Sequence, residues 1–308
     1  MRVAVIDLGS SSFRLVVAEA TAGGRIRHVT RKREEISLGL AVGLEGRVPP
    51  REAKATVEAA LRLKDRAARE DVDHLIVVAT SALREAENAD EMRDRLEARL
   101  GQPVRFLSGH EEAALTYAAM SARMDLGADQ TLGIDLGGGS LELTTGRGGV
   151  LERTWSLPLG AARLTGRFIR HDPMTADERD RLGVEIRAAL RPALTHGASV
   201  PHVVASGGAL KAMARLLSQG RGSLGGTMLT TESLWWLRDR LVNSSLEERL
   251  ALPGMARRRA AVVPAAAVVV TTLLAMLRVP TVIVSEWGVR EGIILQAVGL
   301  VPEMEFAA

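Results

Sequence analysis

Short apolar runs closed off by glycine and small polar residues dominate the start of the chain, and each has the length and branched-residue content of a β-strand. They predict strands over 2–6, 13–19 and 25–34, with turns at "DLGSSS" (Asp7 to Ser12) and "AGG" (Ala22 to Gly24). A Gly-rich stretch, "LGLAVGLEGRVPP" (Leu38 to Pro50), reads as a loop. From Pro50 the period changes: Val57, Leu61 and their neighbours recur at helical spacing, which predicts a helix to Glu70. A strand at 74–79, a helix at about 83–100, a strand at 104–107 and a helix opening near Ser108 complete a βββαβαβα order.

The plan restarts at Thr131. Strands are expected near 131–135, 141–145 and 149–156, helical segments over about 160–195, and a strand at 202–205. Several helices up to 277, the run "TVIVS" at 281–285 and a last helix over about 289–299 follow. Strands joined by tight turns pair antiparallel, whereas those reached through helices join parallel by right-handed crossovers. The expected fold is therefore α/β: two domains, 1–124 and 125–308, each a mixed sheet flanked by helices. The segment "MDLGADQ" near 124–130 is the expected hinge, and the last helix is available to pack back on the first domain. A cleft between the halves would make the two Asp-Gly turns face each other.

Composition narrows the picture. With 308 residues, 46% hydrophobic and 25% charged, the chain has the make-up of a soluble globular protein of two ordinary domains. The net charge of +3 permits an anionic partner without demanding one. There is no cysteine, so no disulfide framework, thiolate metal site or thiol nucleophile, and a cytoplasmic setting is expected. "MRVAVIDLG" enters a strand at once, without the apolar region and cleavage site of a secretory signal. The uncharged stretch Ala261 to Leu277, preceded by Arg257, Arg258 and Arg259, is at the lower length limit for a membrane span and reads as a buried core helix. The basic run "RIRHVTRKR" (Arg25 to Arg33) is read as alternating charge on an exposed strand, and with 3% aromatic content there is no stacking platform for nucleic acid.

The chemistry concentrates in the turns. "DLGSSS" and "DLGGGS" (Asp135 to Ser140) combine glycine, which lets the backbone approach a ligand, with serine hydroxyls as extra donors, and so form phosphate cradles. The Asp ahead of each would repel bare phosphate. It makes sense with a divalent cation between carboxylate and phosphate. Glu142, on the strand leaving the second cradle between Leu141 and Leu143, points either to a ligand or to solvent. In "LSGHEEAALTYAAM" Ser108 reads as an N-cap, and Glu111 and Glu112 as first-turn carboxylates, at least one of them structural. Arg84 opens a helix after a buried strand, where anions often bind, and "VVASGGALKAMARLL" repeats strand, glycine and helix with Ser206, Gly207, Gly208 and Lys211.

Taken together, "VIDLGSSSFRL", "ATSALREAEN", "SGHEEAALTY", "GIDLGGGSLEL", "LPLGAARLTGRF", "ASGGALKAMA" and "SEWGVREGI" resemble, in order, the exopolyphosphatase and guanosine pentaphosphate phosphatase family, in its compact two-domain form. The resemblance implies two actin-like ATPase (ribonuclease H-like) domains and Mg²⁺-dependent hydrolysis of a terminal phosphoanhydride. It casts Glu112 as general base and Asp135 and Glu142 as acids of the metal and water site; Asp7, the acid ahead of the first cradle, is expected from the residues themselves as a further metal ligand. It casts Ser10, Ser11, Ser12, Arg84, Gly137, Gly138, Gly139, Ser140, Ser206, Gly207 and Gly208 as phosphate-binding. Two positions depart from the family pattern: Ser11 stands where an Asn amide is usual, and Ala209 where Thr often stands.

The leading expectation is an exopolyphosphatase acting on inorganic polyphosphate with Mg²⁺. Its rivals are a guanosine pentaphosphate phosphohydrolase, a kinase or ATPase of the same fold, and a non-catalytic polyphosphate or nucleotide sensor. The resemblance also makes a homodimer plausible.

Overall fold

The computed structural model describes residues 1–36, 38–194 and 202–302. The chain forms two compact units: Met1–Ala119 together with the chain from Val289, and Met120–Gly288. The first division thus falls a few residues before the segment expected as a hinge, and the last helix belongs with the opening strands.

In the first unit, β1 (Arg2–Leu8), β2 (Phe13–Ala20) and β3 (Ile26–Glu34) form an antiparallel meander, and β4 (His74–Ala79) and β5 (Val104–Phe106) extend it in parallel, giving the order β3-β2-β1-β4-β5. Alternation along the strands sorts the two faces. Ala4, Ile6, Leu8, Phe13, Leu15 and Val17 pack with Val57, Ala60 and Leu63 of α2 (Pro50–Ala67). Val3, Val5, Val16 and Ala18 are also buried and occupy the other face, where α12 (Val289–Ala297) packs on β1 and β2. Gly292 makes this docking close, since a Cβ on it would stand 2.1 Å from the Leu115 carbonyl oxygen in α5 (Gly109–Arg123).

Two expectations fail here. The Gly-rich stretch contains a helix, α1 (Leu38–Glu45), which buries Leu38, Gly39 and Val42. The helix expected at 83–100 is two: α3 (Ser81–Arg84) and α4 (Ala89–Leu100). Asn88 causes the break, because its side chain accepts from the Val48 amide (2.8 Å) and donates to the Val48 carbonyl (3.1 Å). A residue that hydrogen-bonds a distant segment in this way favours a helix boundary over a helix interior.

The second unit repeats the meander with β6 (Gln130–Leu136), β7 (Leu141–Arg147) and β8 (Val150–Leu157). β9 (His202–Ser206) joins β6 in parallel, β11 (Thr281–Val284) follows, and a short edge strand that the sequence does not announce, β10 (Met228–Thr230), completes the order β10-β11-β9-β6-β7-β8. The expected helical span from about 160 becomes α6 (Ala161–Phe168) and α7 (Ala176–Leu194), and its expected last residue, 195, lies outside the described residues. After α8 (Gly208–Leu217), α9 (Thr231–Val242) and α10 (Leu246–Leu250) comes α11 (Val263–Leu277), buried from Val263 through Thr271. It packs on α6, α7, α8 and α9, so the membrane-like composition is that of a helix with core on every side. Among the described residues no helix is long and apolar enough to cross a membrane.

The duplication extends to burial: along β1 and β6 it is the same position for position, with Asp7 and Asp135 both half-buried just before a buried leucine. Leu8 faces Phe13 and Leu136 faces Leu141, so each turn spans four residues.

Candidate active site

The turn after Asp135 is built from behind. The Gly137 amide donates to the Ser140 carbonyl (3.0 Å), closing the hairpin. The carbonyls of the next peptides point at the start of α6: Gly137 O accepts from Ala161 N (3.1 Å), and Gly138 O from Ala162 N (2.9 Å) and Arg163 N (3.1 Å). Gly139 O accepts from Gly160 N (3.3 Å) and Arg163 Nε (2.8 Å). In a trans peptide the N–H points away from the C=O of the same plane. Fixing three successive carbonyls on α6 therefore turns the amides of Gly138, Gly139 and Ser140 to the opposite side. Successive amides presented this way make a concave anion site. The helix comes this near only because Gly160 has no side chain, since a Cβ there would lie 2.1 Å from the Gly139 carbonyl carbon.

Beside this turn a polar row crosses the sheet. Asp135 stands opposite Glu142 on one side and Ser206 on the other, and Glu142 stands opposite Ser156. Opposed residues share a face, so the two carboxylates project together. Glu142 is 4% exposed and its Oε1 accepts from Ser156 Oγ (3.0 Å), which excludes the solvent-facing alternative. Gly207, at φ +93°, lies against Asp135: a Cβ would meet Oδ1 at 2.6 Å and Leu136 O at 2.4 Å. Ser206 Oγ donates to the Trp287 carbonyl (2.9 Å), and Lys211 donates to the Glu286 carbonyl (2.6 Å).

Sequence reasoning missed Arg259. Its guanidinium is buried and lies against Gly208, where a Cβ would come within 1.9 Å of Nη2. The adjoining Arg249 secures this segment from within the fold, donating to Ala260 O (2.7 Å) and pairing with Asp172 (2.7 Å). The only sequence signal was the arginine run before α11, read there as a flank of an apolar segment.

In the first unit the turn after Asp7 also rests against the start of the helix that follows its third strand, through one carbonyl. Ser10 and Ser12 are buried, Ser10 O accepts from Gly39 N at the start of α1 (2.7 Å), and a Cβ on Gly39 would stand 2.8 Å from Ser10 Cβ. Ser10 Oγ lies 3.5 Å from Ser81 Oγ at the start of α3, and Ser11 Oγ is buried with no hydrogen-bond partner among the described residues. The charges differ from those of the second turn, because Asp7 stands opposite Arg14, not opposite an acid, and lies 3.8 Å from Nη1 of Arg290.

The two glutamates of α5 separate cleanly. Glu111 belongs to a capping box: its amide donates to Ser108 Oγ (3.1 Å) and its Oε2 accepts from Ser108 N (2.7 Å), while Arg105 pairs with Oε1 (2.8 Å). Burial opposes ionisation of Glu111, but the Arg105 and Ser108 hydrogen bonds outweigh it and hold the carboxyl below its ordinary range. Glu112 instead pairs with Arg84, whose Nη1 also donates to the Leu107 carbonyl (2.6 Å). The Arg84 side chain is a fifth exposed, so the ion pair is only partly withdrawn from solvent.

Among the described residues no three acids or histidines gather as a metal cage. Mg²⁺ needs none, being held by one or two carboxylates plus substrate phosphates. Asp135 and Glu142, opposed across β6 and β7, are the residues that could supply such a pair. Asp7, compensated by Arg290 and facing Arg14, is a weaker fit to a cation.

Two α/β units that each lead from a strand through Asp and a glycine turn to a second strand define a protein of the actin-like ATPase fold. More narrowly, the chain belongs to the Ppx/GppA phosphatase family, whose model matches residues 16–300. It is 30% identical over 303 residues to exopolyphosphatase 1 of Mycobacterium leprae, covering 96% of this chain and 89% of that one. The crystal structure of the Aquifex aeolicus Ppx/GppA family member superposes with a TM-score of 0.83 at 28% identity, covering 97% of both chains. An exopolyphosphatase from Cytophaga hutchinsonii shares the fold with a TM-score of 0.90 at 24% identity, covering 98% of this chain and 99% of that one.

Proposed function

We propose that the protein is an exopolyphosphatase that hydrolyses the terminal phosphoanhydride of inorganic polyphosphate with Mg²⁺ and releases orthophosphate. The observation that carries the reading is the second turn, where three amides face away from α6 beside the Asp135–Glu142 pair. Phosphoryl transfer asks a protein mainly for positioning and charge compensation, and amides fixed in advance meet that demand without reorganising. The name borne by the mycobacterial relative supports the same substrate.

In this reading the amides of Gly138, Gly139 and Ser140 take the oxygens of the reacting phosphate, and the Ser140 hydroxyl adds a donor. Ser206, Gly207 and Gly208 shape the wall next to Asp135, with the Arg259 guanidinium behind Gly208 supplying positive charge. Ser10, Ser11 and Ser12 form the second phosphate turn, and the orphaned Ser11 hydroxyl is a donor available for it. Glu112, steadied by Arg84, orients a water and takes its proton. Asp135 and Glu142 would hold Mg²⁺, which when bound supplies charge neutralisation on the phosphate oxygens.

The test compares Mg²⁺-dependent phosphate release from short polyphosphate, long polyphosphate, guanosine pentaphosphate and ATP at equal concentrations. Preferential release from either polyphosphate supports the proposal. Preference for guanosine pentaphosphate, ATP turnover that requires an added acceptor, or binding without release each overturns it.

A further inference from the structure

The Gly139–Ser140 peptide is anchored differently from its neighbours. Gly137 O and Gly138 O are bonded by backbone amides of α6 at 2.9–3.1 Å, bonds that follow from the helix being there at all. Gly139 O has one backbone donor, Gly160 N, at the long distance of 3.3 Å, and its short bond of 2.8 Å comes from a side chain, Arg163 Nε. Glycine on the N-terminal side of this peptide leaves the plane easy to rotate. If it rotates, the Ser140 amide leaves the anion side and a carbonyl oxygen takes its place, turning a donor into a repulsive acceptor.

We infer that Arg163 is a positioning residue: acting through the Gly139 carbonyl, it locks the Ser140 N–H toward the phosphate. The inference rests on the proposed reading of this turn as a phosphate cradle and adds to it the group that holds the third amide in place. The relevant atom is Nε, which enters the contact in the plane of the guanidinium. Lysine places a methylene at that position in the side chain and carries its charge farther out, so it keeps the charge without the bond. A charge effect and a positioning effect are thereby separable.

The experiment uses the full chain labelled with ¹⁵N-serine, titrated with orthophosphate, alongside steady-state hydrolysis of tripolyphosphate. In the wild type the Ser140 amide resonance shifts on titration. In Arg163→Ala the phosphate concentration needed for that shift rises about tenfold or more, and kcat/KM falls by a similar factor while the melting temperature stays within a few degrees. Arg163→Lys behaves as Arg163→Ala does, and it serves as the reporting variant should the alanine protein fold poorly. A Ser140 resonance that titrates identically in wild type and both variants overturns the role of Arg163 and leaves the cradle standing. Full rescue by lysine also overturns it, because charge alone would then suffice. A wild-type Ser140 resonance indifferent to phosphate overturns the cradle itself and the inference with it.

Discussion

Gly160 and Gly139 touch backbone to backbone: a Cβ on Gly160 would fall 2.1 Å from the Gly139 carbonyl carbon and 2.4 Å from the amide nitrogens of Gly139 and Ser140. These are main-chain atoms, so no side chain can swing aside to make room. A looser approach recurs in the first unit, where a Cβ on Gly39 would stand 2.8 Å from Ser10 Cβ and 3.2 Å from the Ser10 carbonyl oxygen. Each hairpin is thus pressed against the start of the helix that follows its third strand. Gly160→Ala should lever α6 away from the turn, release the three carbonyls and scatter the amides. The expected outcome is a loss of phosphate release of about 10²-fold or more, on the scale of removing an anion-site donor. Destabilisation of about 1–3 kcal/mol, typical of overpacking, should accompany it. Hydrolysis rates and a urea melt on the same variant check both.

Much of this was legible in the sequence, and the omissions have a common cause. The strands, the two Asp turns and the βββ plan are local patterns, and alternation with turn residues sufficed for them. Helix α1 was missed because its glycines argue against a helix on propensity, whereas Gly39 is there to meet Ser10, a contact far away in sequence. A clue existed in the parallel between "SLGLA" and "PLGAA", each following a third strand. Arg259 and the side-chain bond of Arg163 were invisible for the same reason, being contacts across 51 and 24 positions. The rivalry between Glu111 and Glu112 was decidable in principle, because Ser108 and Glu111 have the spacing of a capping box.

That distinction yields a paired prediction. Glu112→Gln should lower turnover by about 10²–10⁴-fold, the usual contribution of a general base, while polyphosphate binding persists. Glu111→Gln should leave turnover near wild type, because glutamine can still complete the cap, and it should cost about 0.5–2 kcal/mol of stability at most. Single-turnover phosphate release and binding isotherms for both variants provide the check, and equal losses in the two would remove Glu112 from the proton-transfer role.

The carboxylate pair makes a separate prediction about the cation. Asp135→Asn keeps the shape of the side chain between Gly207 and Gly288 but removes one of two adjoining charges. The Mg²⁺ concentration for half-maximal phosphate release should rise at least tenfold. Asp7→Asn, at a site already compensated by Arg290, should move that concentration far less. Magnesium titrations of the two variants, read by activity and by thermal shift with orthophosphate present, distinguish the acids.

Acid stability is tied to Glu178, buried at the start of α7. Burial raises its pKa, but hydrogen bonds from the Thr175 and Arg170 amides, the His171 ring and the Thr175 hydroxyl outweigh this and bring it to about 2 from an ordinary 4.5. A carboxyl whose pKa is depressed by folding stabilises the fold above its unfolded pKa and ceases to do so as pH falls through the folded one. Its contribution should therefore be whole above about pH 4.5 and disappear toward pH 2. Glu178→Gln should flatten that part of the stability curve and, by leaving buried donors short of an acceptor, cost about 1–3 kcal/mol at neutral pH. Denaturant melts of the two proteins between pH 2 and 7 (roughly the window of the titration) test the sign.

The return of the chain into the first unit offers the last prediction. At the start of α12 three consecutive residues are each committed: Arg290 lies beside Asp7, Glu291 is buried and bonded to His28 Nε2 (3.0 Å), and Gly292 sits against the Leu115 carbonyl of α5. The first two contacts depend on the third, because the helix must lie close for its side chains to reach β1 and β3. A Cβ at 292 would be 2.1 Å from Leu115 O and 2.6 Å from its carbonyl carbon, so the two helices must separate. Gly292→Ala should then cost more than the modest gain in helix propensity returns, with a net destabilisation of about 1–3 kcal/mol. Activity should fall with it, because α5 also carries Glu112 and α12 carries Arg290. His28→Ala, which removes one of the three contacts without adding bulk, should lower the melting temperature and leave most of the turnover. Should Gly292→Ala retain wild-type stability and turnover, α12 is not held by this approach, and the grip of the returning helix must come from its apolar face on Val3, Val5, Val16 and Ala18 alone.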